Sequence, residues 1–159
     1  MNRIIGVADM AMSNSSDQIL VTYSLGSCIA VVIYDPKARV GGMLHYMLPE
    51  AALDPEKAKK NPFMFADTGI PQLFKESYRL GAKKENLIVK AAGGAQILDE
   101  SGFFNIGKRN YLAMRKLFWR NNVMVAAEHV GGNVNRTLRL HMDTGRVMMK
   151  IQGETEIEF

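Results

Sequence analysis

The chain has 159 residues, 47% of them hydrophobic and 23% charged, with a net charge of +4. These proportions fit a globular protein with one substantial core, expected as a single domain over residues 1–159, and exclude a largely disordered chain. The mild basic excess lacks the clustered, aromatic-interleaved cations of a nucleic-acid binder, and no apolar stretch approaches the roughly 20 residues that span a bilayer. Cys28 is the sole cysteine, which rules out an internal disulfide and a thiolate-rich metal site. The apolar start, residues 4–8, is too short for a secretory signal, so a cytoplasmic protein is expected.

In chain order, residues 3–10 read as a strand, 11–16 as a small polar loop and 17–23 as a second strand. Ser24, Leu25, Gly26 and Ser27 supply turn chemistry. Residues 28–34, CIAVVIY, form a β-branched apolar run typical of a buried strand. Asp35-Pro36-Lys37 is a turn signal, and residues 40–48 resume as a strand in which Gly41-Gly42 could make a bulge. Residues 49–62 carry three prolines and no clear period, which predicts a long surface loop with at most a turn of helix. Lys57, Lys59 and Lys60 read there as solvated.

Asp67 or Thr68 is expected to cap a helix running to about Leu80, with Ile70, Leu73, Phe74, Ser77 and Tyr78 on one face and Gly81 just past its end. Residues 87–92 read as a strand before Gly93-Gly94. Asn105 is expected to cap a second helix to about Asn121. Its apolar face holds Ile106, Met114, Leu117 and Phe118, and its basic face Lys108, Arg109, Arg115, Lys116 and Arg120. A strand over 123–130 and a hairpin of 137–142 with 146–151 around Asp143-Thr144-Gly145 complete the chain. Many strands with few, irregularly placed helices predict an α+β fold.

Cys28 follows Gly26-Ser27 where a turn meets an apolar strand. A glycine-containing turn can point backbone N–H groups at a ligand, as an oxyanion site requires, so Gly26 and Ser27 are candidate positioning residues. By itself, a lone cysteine opening an apolar strand is more often core. Of the three histidines, His45, His129 and His141, the first sits on the facing strand. A tight loop at Pro36-Lys37 would set Cys28 directly opposite His45, with Cβ atoms about 5 Å apart. A one-residue slip would put them on opposite faces. Thiol and imidazole together offer a nucleophile and a base for amide hydrolysis, and the Thr22 hydroxyl is a candidate to orient the imidazole. No metal or organic cofactor is required.

The run Thr22-Tyr23-Ser24-Leu25-Gly26-Ser27-Cys28-Ile29-Ala30-Val31, followed by His45-Tyr46-Met47-Leu48-Pro49, resembles the CheD family of chemoreceptor glutamine deamidases. Asn61-Pro62, Phe65-Ala66-Asp67, Gly93-Gly94-Ala95, Ile106-Gly107 with Asn110, Gly131-Gly132 with Arg136, and Thr144-Gly145 continue the likeness. The resemblance implies a layered α/β sandwich of sheets flanked by helices, similar to toxin-type glutamine deamidases. It implies Cys28, His45 and Thr22 as catalytic residues. It also implies selected glutamines on the helical cytoplasmic region of methyl-accepting chemotaxis receptors as substrates, with receptor methylesterase activity and a CheC-type phosphatase as partner. His129, after Glu128, stands where the resemblance leads one to expect an acidic residue. Two rival readings are a non-catalytic adaptor for receptors and a CheC phosphatase, using the basic helix face and Phe103-Phe104, and a cysteine peptidase acting on a backbone amide.

Overall fold

The computed structural model describes residues 1–96 and 105–159; Phe103 and Phe104 lie outside them. The strands are β1 (Asn2–Ile4), β2 (Asp9–Ser13), β3 (Ile19–Leu25), β4 (Ile29–Asp35) and β5 (Val40–Tyr46). Helices α1 (Pro55–Lys60) and α2 (Ala66–Arg79) follow, then β6 (Ile88–Gly93) and α3 (Ile106–Arg120). The chain continues as β7 (Val125–Val130), β8 (Arg136–His141), β9 (Arg146–Ile151) and β10 (Ile157–Glu158). One sheet has the order β1-β3-β8-β9-β10 and the other β2-β5-β4-β6-β7. Both are mixed, because β1 runs parallel to β3, and β6 to β7.

Alternation along β4 builds three layers. Ala30, Val32 and Tyr34 join Leu20, Leu25, Leu138, Leu140 and Met149 in the core between the sheets. Ile29, Val31 and Ile33 point the other way, into a second core with Ile70, Leu73 and Phe74 of α2 and Met114 and Phe118 of α3. The second sheet is therefore covered on both faces, and every residue of β4 and β5 is buried. Each fully buried aliphatic side chain contributes about 1.5–3 kcal/mol by leaving water. The layered α/β sandwich expected above is the fold.

Local departures have identifiable causes. The expected first strand is two strands in different sheets, because the chain turns at Ala8, whose φ of 59° is left-handed. Residues 11–13, expected in a loop, belong to β2 and pair with β5. Gly41 and Gly42 sit in unbroken register rather than in a bulge. The expected loop over 49–62 holds α1, begun by Asp54 accepting from the Lys57 N–H. Lys57, Lys59 and Lys60 are exposed there. Phe65, not Asp67 or Thr68, flanks α2; Asp67 accepts from the Ala51 N–H, and Thr68 donates to the Pro62 carbonyl. Tyr78, expected on the buried face of α2, is 40% exposed. Asn105 flanks α3 in the left-handed region, with no side-chain cap bond to the helix.

The β4–β5 register is the correction that matters for function. Ala30, not Cys28, lies directly opposite His45. The loop is longer than the tight turn expected, because Asp35 organises it. Its carboxylate accepts from the N–H groups of Lys37, Ala38 and Lys83, and its carbonyl accepts from Arg39. Val40 therefore pairs with Asp35, a shift of two residues. A shift of two preserves face, so Cys28 and His45 still point the same way.

Candidate active site

Thr22 of one sheet and His45 of the other meet in a hydrogen bond, and Cys28 lies on the crossing between the two sheets. Thr22 lies on β3 just before a register shift between Thr22 and Leu25, with Ser24 at a φ of 55°. Such a bulge bends a strand out of its sheet. The chain then crosses from the first sheet to the second through Gly26, Ser27 and Cys28 and enters β4 at Ile29. Cys28 is half-buried at this crossing and packs against the core between the sheets. His45 faces the same core from β5 and is 1% exposed, while Thr22 is fully buried.

The hydrogen bonds determine the tautomer of His45. Thr22 Oγ1 lies 2.7 Å from the Ile5 carbonyl oxygen and 2.7 Å from His45 Nδ1. A hydroxyl has one hydrogen, and a carbonyl can only accept. Thr22 therefore donates to Ile5 and accepts from His45, so Nδ1 carries the ring proton. Nε2 is left with its lone pair, buried and, among the described residues, without a hydrogen-bond partner. An orphaned buried acceptor costs about 1–3 kcal/mol, a cost most often retained where the atom has a task. Continuing the β4–β5 register one step past the Ile29–Tyr46 pair would set Cys28 diagonal to His45, about 7–8 Å apart between backbones in a regular ladder.

Burial keeps both groups neutral. It pushes the Cys28 thiol up to about 11, opposed only by the residue's own N–H, and the His45 imidazole down to about 4. A preformed thiolate–imidazolium pair would require the opposite shifts. Alkylation of Cys28 by iodoacetamide should therefore rise about tenfold per pH unit between pH 7 and 10. A plateau near pH 8.5, as for an exposed cysteine, would contradict this picture.

The carbonyls of the crossing are all engaged. Ala95 N–H donates to Gly26, Gly94 N–H to Cys28, and Asn110 Nδ2 to Ser27 at 2.9 Å. Among the described residues, no backbone–backbone hydrogen bond of the loops uses the N–H of Gly26 or Ser27, and the N–H of Cys28 bears on its own sulfur. Gly93 makes the fit possible: its φ of 118° favours glycine, and a Cβ there would collide with the Cys28 carbonyl oxygen. Asn110 also donates to the Met47 carbonyl at 2.8 Å, so one buried amide from α3 ties the chain beside Cys28 to the end of β5. Residue chemistry alone did not single it out; its signal was a polar residue on the otherwise apolar face of α3.

Arg136 is buried beside this region. It donates to His129 Nδ1 at 2.9 Å and to the carbonyls of Gly93 and Gly131. Burial first, and Arg136 second, hold His129 below the usual imidazole range, so it serves Arg136 as a neutral acceptor. His141 lies on the other sheet, opposite Ile19 and Arg146.

A family model described as CheD chemotactic sensory transduction matches residues 47–151. A protein of Syntrophus aciditrophicus (strain SB), named "Probable chemoreceptor glutamine deamidase CheD 1", is 58% identical over 94% of this chain and 94% of its own length. One from Solibacter usitatus (strain Ellin6076), named "Probable chemoreceptor glutamine deamidase CheD", is 50% identical over 95% and 89%. The chain belongs to the CheD family. The CheD model begins just after His45, so Thr22, Cys28 and His45 precede it, whereas Asn110, His129 and Arg136 fall inside. A third CheD relative, "Probable chemoreceptor glutamine deamidase CheD 2" from Anaeromyxobacter dehalogenans (strain 2CP-C), is 50% identical over 92% of both chains.

Proposed function

We propose that this chain deamidates selected glutamines of methyl-accepting chemotaxis receptors, with Cys28 as nucleophile, His45 as base and Thr22 as the group that orients His45. The names of its relatives support the reaction and the substrate. The observation that carries the chemistry is the His45 ring: Nδ1 held by Thr22, and Nε2 buried and, among the described residues, unpartnered on the face shared with Cys28. The Cys28 proton leaves to Nε2 as sulfur attacks the glutamine carboxamide carbon, because a thiol near 11 supplies little thiolate at neutral pH. The N–H groups of Ser27 and Cys28, beside Gly26, hold the developing oxyanion. His45 then protonates the departing ammonia, leaving a thioester. Water, deprotonated by His45, cleaves the thioester to glutamate and restores the thiol. A glutamate methyl ester enters the same route with methanol as the leaving group, which is the methylesterase activity.

The substrate region is the receptors' cytoplasmic helices, so the protein acts in the cytoplasm. No described helix is long and apolar enough to cross a membrane. A CheC-type phosphatase is a second partner under this reading.

Mass spectrometry of a purified receptor cytoplasmic fragment after incubation with the chain tests the reaction. Each modified glutamine should gain about one dalton with release of ammonia. Chain cleavage would instead indicate a peptidase. Binding without any mass change would leave only an adaptor.

Thr22→Val should lower kcat about 10–100-fold, since it removes the acceptor that selects the Nδ1–H tautomer. Thr22→Ser keeps that acceptor and should retain most of the activity. Equal losses in the two variants would remove Thr22 from this role.

A further inference from the structure

One helix face is left over once the fold and the site are accounted for. α3 buries Gly107, Asn110, Met114 and Phe118. On the opposite side, Lys108, Leu112, Arg115 and Trp119 recur at helical spacing in one exposed stripe, flanked by Arg109, Lys116 and Arg120. Trp119 is 81% exposed and Leu112 52%. The helix contains five cations and no carboxylate, and the rest of the chain carries one more carboxylate than cation. The basic excess of the protein is therefore the charge of this face. Among the described residues, every ion pair lies elsewhere.

We propose that the outer face of α3 docks an acidic helical bundle, the substrate protein's own, as an exosite separate from Cys28. This rests on the deamidase reading. The 15-residue helix offers a rail about 22 Å long, enough for several turns of a partner helix. Cations spaced between two apolar side chains complement a helix that carries the glutamates this reaction produces. The same helix reaches the site from its other side through Asn110 and the Ser27 carbonyl, so a docked bundle leaves the Cys28 crossing open. Each turnover replaces a neutral carboxamide with a carboxylate, so this face holds a modified bundle more tightly than an unmodified one. Docking then raises the local concentration of the remaining glutamines.

The test measures binding of the full chain carrying Cys28→Ala to a receptor cytoplasmic fragment, with either glutamine or glutamate at the modified positions. Deamidation kinetics are measured with Cys28 intact. The glutamate form should bind several-fold tighter, with steep salt dependence. Arg115→Glu with Lys116→Glu should weaken binding about tenfold and raise KM by as much, leaving kcat within twofold and the unfolding midpoint unchanged. Trp119→Ala should weaken binding about fivefold. Binding and KM unchanged in the charge-reversed variant would overturn the proposal while leaving the deamidase reading intact. So would α3-dependent binding to phosphatidylglycerol vesicles without binding to the bundle. Binding through α3 with no deamidation would overturn the deamidase reading and keep the surface.

Discussion

Cys28→Ala should abolish conversion of receptor glutamine to glutamate, a loss of at least about 10⁴-fold, while the protein stays folded. Under the proposed mechanism the acyl intermediate forms on this thiol, a far better nucleophile at neutral pH than the neighbouring Ser27 hydroxyl. Without it, oxyanion donors and bound substrate geometry can offer water only weak help. The stability cost should be small. Cys28 is half-buried at the edge of the core between the sheets, so deleting one sulfur leaves a shallow gap worth about 1 kcal/mol. Deamidation followed by mass spectrometry, together with thermal unfolding, separates the two effects. Retained conversion in a folded Cys28→Ala protein would end the nucleophile assignment, and substrate binding must survive the substitution.

His45→Asn should lower kcat/KM by about 10²–10⁴-fold and change the shape of its pH dependence. Burial holds the imidazole near 4, so wild-type activity should be level across neutral pH and fall only as pH drops through about 4, where Nε2 gains a proton. An unperturbed histidine would impose that fall near 6.5. In the variant no base remains, and the residual rate should follow thiolate, rising about tenfold per pH unit toward 11. Stability carries the same signature. The folded-state value lies below the unfolded one, so between pH 6.5 and 4 only the unfolded chain binds the proton, and stability falls as pH falls through that window. The wild type should lose about 3 kcal/mol more than His45→Asn across it, measured by urea unfolding at each pH. A wild-type profile breaking near 6.5 would place His45 in water rather than in the core.

The relation between Cys28 and His45 shows how far local pattern reaches. The apolar runs of β4 and β5 marked both strands, and the period of two put thiol and imidazole on one face. That conclusion survived a register error because the error was two residues, an even number. The Asp143-Thr144-Gly145 hairpin and the amphipathic faces of α2 and α3 were legible for the same reason: each is set by side chains a few residues apart.

What the sequence determined by itself, then, was the type of most elements, the face most of their residues take, the solitary cysteine and the cationic stripe of α3. Tertiary structure alone decided who meets whom. The β4–β5 offset goes with Asp35 gathering the N–H groups of Lys37, Ala38 and Arg39 and, from 48 residues away, Lys83. The division of residues 3–10 between two sheets follows from pairing with β3 and β5, which no local propensity encodes. The state of His45 depends on Ile5, Thr22 and His45 meeting at one hydroxyl, and Asn110 acts only because α3 packs against the crossing. Side-chain periodicity is a property of a few neighbouring residues, whereas hydrogen-bond partners and orphaned atoms arise only when distant segments share a core.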